Sequence, residues 1–336
     1  VKILFFTTVF APSVGGIERL ADVLCREFVA LGHEVRLLTT TPGEGLFPFP
    51  VVRKPSIVEF SRQLRWCDIH LQANVSLKNA WPRLIFARKF LVQHNNAYQR
   101  DDGTRSHVDH IKAFFARHTN GVANSHYTAQ RTGVPQVVLN AYDDGTFRNQ
   151  KAWYERKGEL IFVGRLVSQK GCDTLLRALR HLQDDGCCPR LTIVGDGPER
   201  QALEMLTFNL GLSDDVRFVG TAQGPALAEL LNDHRMIVVP SRYEEPFGIV
   251  ALEGMACGCV PIVSEYGGLV DAIAGHGFTF PNGDDVALAQ VLAKALRATD
   301  LARAQLNGVE AHLALCTARS VAEQYLQIFS EKCGQK

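Results

Sequence analysis

The stretch PSRYEEPFGIVALEGMACG, Pro240 to Gly258, sets Glu245 ahead of a glycine, Gly248, and a second glutamate, Glu253, further on. The residues after Gly248 read as a helix, so Glu245 stands at its mouth and Glu253 inside it. Free amides of Gly248, Ile249 and Val250 at a helix start, aided by the helix dipole, can hold a phosphate. The two carboxylates cannot, because like charges repel; they suit hydroxyl groups, as acceptors from a sugar or a ribose. One short segment thus offers phosphate donors flanked by hydroxyl acceptors. A nucleoside diphosphate sugar has that polarity, with ribose, phosphates and hexose in order.

Two further stretches carry polar chemistry at strand ends. FVGRLVSQKG places Arg165 and Lys170 just past an apolar run, where two cations can converge on one pyrophosphate. Taken alone, such a pair reads as two solvated surface charges. VFAPSVGGIERLA sets Gly15 and Gly16 before a helix, which allows close backbone approach to an anion and equally suits a plain turn. Neither this stretch nor GDGPER, Gly195 to Arg200, matches G-x-G-x-x-G, which disfavours a nicotinamide dinucleotide site. His94 ends the run FLVQH; a lone histidine at a strand end is more often structural than functional.

These loops need strands and helices to hold them, and the chain is long enough, at 336 residues, for two domains. KILFFTT reads as a buried strand, followed by a helix with Ile17, Leu20, Ala21, Leu24, Phe28 and Leu31 at helical spacing and Gly32 as its stop. Strands EVRLLTT, FPVVRK, DIHLQA, FLVQH, GVANS and PQVVLN follow, with helices at IVEFSRQLRWC, from Trp81 to Lys89 and over 107–118. RNQKAWYERKGE then reads as a polar linker. A second series comprises strands LIFVGRL, RLTIVGDG, VRFVG, MIVVPS, VPIVS and GFTF with helices over 171–183, 199–210, 225–233, after Pro240 and over 285–298. A helical tail covers about 301–333. Such alternation predicts an α/β fold of two Rossmann-like domains with mainly parallel sheets facing a central cleft. The expected domains are 1–150 and 151–336, with the terminal helices packing back on the first. In parallel sheets of this kind, ligands sit beyond the carboxyl ends of the strands, where the loops named above fall.

Composition limits the remaining classes. Net charge is +1, so bulk electrostatics do not suggest nucleic acid. Residues 1–150 carry 18 Lys+Arg against 12 Asp+Glu and the remainder 18 against 23, an asymmetry that predicts two modules with different partners. Nine scattered cysteines form no C-x-x-C pair and read as reduced thiols of a cytosolic protein, with Cys187-Cys188 an accident of a loop. No apolar run approaches the roughly 18 to 20 residues of a membrane span, and the opening residues read as a strand rather than a signal peptide. Between Arg53 and Lys89, Arg53, Lys54, Arg62, Arg65, Lys78, Arg83, Arg88 and Lys89 interleave with Trp66, Trp81, Phe86 and Phe90. That mixture suits an anionic membrane surface or a lipid-pyrophosphate acceptor, and equally a packed core with solvated charges.

Taken in order, PSVGGIERLADVLCREFVALGHEVRLLTT, FVGRLVSQKG, LTIVGDGPER, VRFVG, VVPSRYEEPFGIVALEGMACG and VPIVSEYGG resemble a GT-B glycosyltransferase of the large retaining family 4 group, also called group 1. The matching stretches spread over nearly the full length. By that resemblance Arg165 and Lys170 grip the donor pyrophosphate, Glu253 the ribose hydroxyls and Glu245 hydroxyls of the donor sugar. Gly16, beside Gly15, offers its amide to the distal phosphate, and Gly248, Ile249 and Val250 add theirs. Gly195 and Phe247 join the expected donor set, the segment at Arg217 and Phe218 lies by the base, and His94 lies near the donor sugar. His94, Glu245, Arg165 and Lys170 are the residues expected to carry catalysis. Gly254 stands where alanine is usual, Asp271 where glutamate is common, and LNAYDDGTF departs from the family's linker motif, which leaves the hinge position open.

The resemblance implies transfer of a hexose-type sugar from a UDP- or GDP-sugar to a glycan, glycolipid or lipid-linked acceptor, in cell-envelope polysaccharide or glycoconjugate synthesis. It implies retention of configuration, no cofactor and no metal, since no D-x-D pair stands where one would bind. The expected location is the cytoplasm, at the inner face of the plasma membrane if residues 53–90 touch lipid. A nucleotide-sugar 2-epimerase of the same architecture, and a non-catalytic nucleotide-sugar-binding protein, are the alternatives.

Overall fold

The computed structural model describes residues 1–13, 15–76, 90–100 and 104–333. The helix expected from Trp81 to Lys89, and with it Lys78, Arg83, Phe86 and Arg88, lies outside the described residues. The chain divides into two compact units, Val1–Arg100 with Thr104–Tyr142 and Ala314–Lys336, and Asp143–Leu313.

In the first unit, β1 (Lys2–Thr7), β2 (Glu34–Thr39), β3 (Val51–Arg53), β4 (Ile69–Ala73), β5 (Phe90–His94) and β6 (Gly121–Ala123) make one sheet in the order β3-β2-β1-β4-β5-β6. Every pairing is parallel. Both faces of such a sheet are covered, which is why its strands read as continuous apolar runs. Helix α1 (Gly16–Ala30) buries Leu20, Ala21, Leu24, Cys25 and Phe28 against it, one helical stripe, and the chain turns at Gly32 with φ +84°. α2 (Ile57–Trp66) starts at Ser56, whose side chain accepts the Glu59 amide. α3 (His107–Arg117) opens on a reciprocal Ser106–Asp109 capping box. α4 (His126–Thr132), capped by Ser125, is a short helix that its seven residues did not announce by periodicity. The last helix, Ala318–Cys333, belongs to this unit, with Val321, Ala322, Tyr325, Ile328 and Phe329 in the same core as Phe5, Phe28 and Leu71.

The expected strand PQVVLN is a correction. It makes a single bridge, Ala123 to Val137, alongside β6. β6 is the three-residue edge of the sheet, and Pro135 brings no amide to a ladder.

The second unit repeats the plan. Strands β7 (Gly158–Val163), β8 (Leu191–Val194), β9 (Val216–Gly220), β10 (His234–Val239), β11 (Val260–Ser264) and β12 (Phe278–Phe280) run in the order β12-β11-β10-β7-β8-β9, all parallel. Helices Cys172–Asp184, Arg200–Asn209, Gly224–Asp233, Ile249–Ala256, Leu269–Ile273 and Asp285–Arg297 lie between and after the strands, and Thr299–Ala304 and Val309–Leu315 follow. Counted within each unit, both sheets have the doubly wound order 3-2-1-4-5-6, whose ligand crevice opens where the order reverses. In the second unit that point lies between β7 and β10.

The stretch read as a polar linker is anchored rather than solvated. Arg156 is buried, and its guanidinium donates to the carbonyls of Lys151, Leu231, His234 and Cys257 and to Asn149 Oδ1. A buried cation needs such a nest of acceptors, and this one clasps the entry to the second sheet.

Candidate active site

The loops leaving β7 and β10 meet at the switch point of the second unit. The first passes exposed Arg165 and a single 3-10 turn, Ser168–Lys170, and stops at Gly171, with φ +65°. A side chain at Gly171 would overlap the Pro240 carbonyl oxygen, so only glycine lets the loops close. The Arg242 amide then donates to Gln169 O at 2.8 Å, and Arg242 pairs with Asp173.

That closure brings Lys170 and Glu245 together across 75 residues of sequence. Lys170 Nζ donates to Glu245 Oε1 at 2.8 Å and lies 3.5 Å from the Tyr243 hydroxyl. Ser241 Oγ donates to the same carboxylate oxygen. Glu245 is almost wholly buried, with 6% of its side chain exposed, while Lys170 keeps 25%. Burial by itself lowers the Lys170 ammonium; Glu245 first, then Tyr243, outweigh it and hold the ammonium above its ordinary value. The backbone of Glu245 bridges to Gly267, and its carbonyl accepts the Gly268 amide at 2.6 Å. The carboxylate is therefore fixed from main chain and side chain alike.

Gly248, with φ +101°, swings the chain from this point into the helix Ile249–Ala256. Ile249 and Val250 occupy its first turn, where amides have no intrahelical acceptor. Glu253 lies inside the helix and is buried. Gly254 faces β10 so closely that a Cβ would come within 2.7 Å of Ile237 Cγ2, which accounts for glycine at a position where the resemblance leads one to expect alanine. Phe247 points its ring into the interior, at 2% exposure, so only its main chain is offered to the site.

Gly195 follows β8 with φ +146°, and a side chain there would overlap the Gly164 carbonyl oxygen. Its amide donates to Gly220 O at 2.7 Å, so its contribution is close backbone approach. Arg217 and Phe218 stand in the middle of β9, pairing Thr192 and Ile193. Arg217 is exposed, and the Phe218 ring lies under the Arg200 guanidinium at 5.8 Å. The structure brings together Lys170, Glu245 and the Gly248 turn; Arg217 and Phe218 lie back along the sheet from the strand ends. Ser241 and Tyr243, which fix Glu245 and Lys170, were not singled out from sequence. Their signal was position: both lie in the quoted stretch, in the first residues past β10.

The remaining residues belong to the first unit. Gly15 is the extended residue before α1 and Gly16 its first residue. The Glu18 carboxylate already stands at this helix mouth, 2.6 Å from where a Gly15 Cβ would lie. His94 closes β5 fully buried, with Nδ1 2.8 Å from the Tyr98 hydroxyl, which accepts the Val75 amide. Its Nε2 faces Gly121 and has no partner among the described residues. Burial pushes the imidazole down to about 3, so it is neutral at physiological pH.

Of the basic aromatic segment, Phe90 is buried in the core and Arg53 is held by the carbonyls of Ala11 and Thr41. Trp66 is half-buried with Arg36 stacked on it at 3.9 Å. Lys54, Arg62 and Arg65 are exposed, beside Ile57 and Val58 of the first turn of α2. Among the described residues no cluster of His, Cys, Asp or Glu is placed to hold a metal ion, and no helix is long and apolar enough to cross a membrane.

Residues 143–307 match the family model Glycosyl transferases group 1. An uncharacterized glycosyltransferase of Methanocaldococcus jannaschii is 40% identical over 150 residues, covering 41% of this chain and 38% of that protein. A D-inositol 3-phosphate glycosyltransferase of Jonesia denitrificans is 34% identical over 179 residues, covering 51% of this chain and 42% of that protein. The chain thus aligns with about two fifths of the length of these curated relatives. The crystal structure of HepE from Anabaena, in complex with UDP and glucose, superposes over 98% of this chain and 99% of that one, with a TM-score of 0.78 at 18% identity. With two doubly wound parallel sheets and that structural match, the chain has the GT-B fold, and its residues 143–307 are similar to the group 1 glycosyl transferases.

Proposed function

We propose that this protein is a retaining glycosyltransferase that moves a hexose-type sugar from a UDP- or GDP-sugar to a glycan, glycolipid or lipid-linked acceptor, serving cell-envelope polysaccharide or glycoconjugate synthesis. The observation that carries the reading is the fixed Lys170–Glu245–Ser241 cluster beside the free amides that follow Gly248. Breaking the bond from the anomeric carbon leaves its electron pair on the terminal phosphate. Preorganised cations and amides meet that charge, usually the largest catalytic contribution. Arg165, Lys170 and the amides of Gly248, Ile249 and Val250 fill this role. Glu245 and Glu253 accept hydroxyl protons from the sugar and the ribose. Lys170 also neutralises Glu245, so a carboxylate can stand near a diphosphate without repelling it.

Both buried carboxylates have hydroxyl-binding roles, so no side chain is assigned as a nucleophile. Retention then follows from attack on the face the diphosphate leaves, with a phosphate oxygen taking the acceptor proton. No metal or cofactor is assigned, and EDTA should leave turnover unchanged. The UDP complexes of structural neighbours make UDP-sugars the first donors to try, and the inositol phosphate relatives suggest a phosphorylated polyol among the acceptors. The exposed Ile57, Val58, Lys54, Arg62 and Arg65 favour attachment to an anionic membrane at the cytoplasmic face.

The test is a donor panel: thermal shift with UDP, GDP and ADP, then UDP- and GDP-sugars with and without acceptors, with the product anomer read by NMR. Stabilisation by one nucleotide and sugar transfer with retained configuration are expected, since a bound ligand stabilises by mass action. Epimerisation at C2, or binding without turnover, would replace the proposal.

A further inference from the structure

The second unit holds a cavity of about 330 Å³ at the amino ends of its strands, opposite the loops of the candidate donor site. Its lining includes Glu159, Cys187, Cys188, Arg235, Arg297 and Thr299. Glu159 and Arg235 are each the second residue of a strand, on neighbours β7 and β10 in register through His234 and Gly158. Strands of six residues set this end roughly 20 Å from the carboxyl edge, so the cavity shares no residue with the donor site.

Its two guanidiniums are uncommitted. Neither Arg235 nor Arg297 makes a hydrogen bond or ion pair among the described residues, and Arg235 Nε is shielded from solvent with no acceptor. Glu159 does not compensate Arg235, although it is the in-register neighbour; its Oε2 accepts the Arg190 amide at 2.8 Å instead. The half-buried Arg235 guanidinium, whose Nε has no acceptor, carries a desolvation cost that an anion would remove; Arg297 lines the same space from an exposed position. Two guanidiniums facing one space suit a phosphate, which takes paired N–H donors from each. The volume exceeds what phosphate alone fills and lies at the lower end of small-molecule sites. The uncommitted oxygen of Glu159 and the Thr299 hydroxyl suit hydroxyl groups on the rest of the ligand.

We infer that this cavity is a second ligand site, separate from the donor site, for a small phosphorylated sugar or polyol whose phosphate is held by Arg235 and Arg297 and whose hydroxyls meet Glu159 and Thr299. It does not depend on the proposed transfer reaction, only on the second unit being folded.

The neighbouring thiols supply a local reporter. Cys188 is exposed and Cys187 half-buried, whereas the other cysteines whose side chains are described are buried. Cys187 is pushed up by burial first and by Glu159, with Arg297 pulling it down, so an anion on Arg297 makes it less reactive as well as less accessible. The experiment labels the protein with a maleimide in saturating UDP, which occupies the donor site, and follows the Cys187–Cys188 peptide by mass spectrometry. Glucose 6-phosphate should slow labelling at least about fivefold once it exceeds its dissociation constant about fourfold, and glucose should not. In R297Q, whose exposed side chain at a helix end leaves the fold intact by melting temperature, and in R235Q, the protection should vanish. Labelling of the wild type indifferent to glucose 6-phosphate, or protection that persists in both variants, overturns the inference.

Discussion

Replacing Lys170 by methionine isolates what the ammonium does, because the side chain keeps its length and loses its charge. Among the described residues it is the one cation bonded to Glu245, at 2.8 Å, and only Ser241 otherwise donates a side-chain hydrogen bond to that carboxylate. At an effective dielectric near 20 the attraction at such range is about 6 kcal/mol before desolvation. Breaking a fully buried pair costs about 3–5 kcal/mol. Lys170 keeps a quarter of its exposure, so water screens part of this, and about 2 kcal/mol of stability is the expected loss. In a unit of this size that is a fall of roughly 4–8 °C in melting temperature. Turnover should fall further, by at least about a hundredfold or roughly 2.7 kcal/mol, because in the proposed reaction the ammonium also meets the developing phosphate charge.

The two effects separate in a cycle of K170M, E245Q and the double variant. Denaturant unfolding should give a coupling of about 2 kcal/mol between the positions, and kcat/KM should drop in each single variant. The pH dependence has a definite sign. Because Glu245 and Tyr243 raise the Lys170 ammonium above its ordinary value, its stabilisation is complete below that value and lost only as pH climbs beyond about 10.4. The stability gap between wild type and K170M should therefore stay flat from about pH 6 to 9. Turnover of K170M within about threefold of wild type, or a coupling near zero, would refute the reasoning that joins this pair to phosphate departure.

The first unit should be acid-sensitive: burial holds His70 and His94 at about 3 against an ordinary 6.5, so the unfolded chain binds more protons between these values and stability falls as pH drops through that window, by about 1.4 kcal/mol per pH unit for each ring. Among the described residues neither nitrogen of His70 has a hydrogen-bond partner, while Phe60 and Phe90 flank the ring, so His70→Met should gain about 1 kcal/mol at neutral pH and halve the acid slope; a loss of stability in urea titrations would show that a hidden acceptor holds the ring. For the membrane reading, flotation with phosphatidylglycerol vesicles should carry the protein up and neutral vesicles should not, with I57S/V58S remaining at the bottom; equal flotation on both vesicle types discards anionic recognition.

What the sequence made legible follows from how parallel sheets bury their strands. Covered on both faces, β1, β7, β10 and β11 are unbroken apolar runs, and the helices between them carry their own stripe, so the alternation was readable without a partner in view. Short helices such as His126–Thr132 and Leu269–Ile273 are too brief to show a period, and a buried arginine such as Arg156 looks like any linker charge until its carbonyl nest closes around it. In the candidate site, the spacing of Glu245 and Glu253 was local and therefore visible. The pairing of Lys170 with Glu245 was not, because it depends on β7 and β10 being neighbours, which strand identity alone does not fix.

Glycines are where that long-range contact left its trace. Gly171, Gly195 and Gly268 all stand where a Cβ would overlap a carbonyl oxygen of a different loop, Pro240, Gly164 and Pro246 respectively. Each marks a place where two strand-end loops touch main chain to main chain. Glycines that follow strands in such a fold therefore have two meanings, close approach to ligand or close approach of one loop to another. Gly248 is placed for the first in the proposed reaction, turning the chain into a helix start; Gly195, its amide given to Gly220, shows the second. The distinction rests on where the amide goes, a hydrogen-bond fact that residue type does not record.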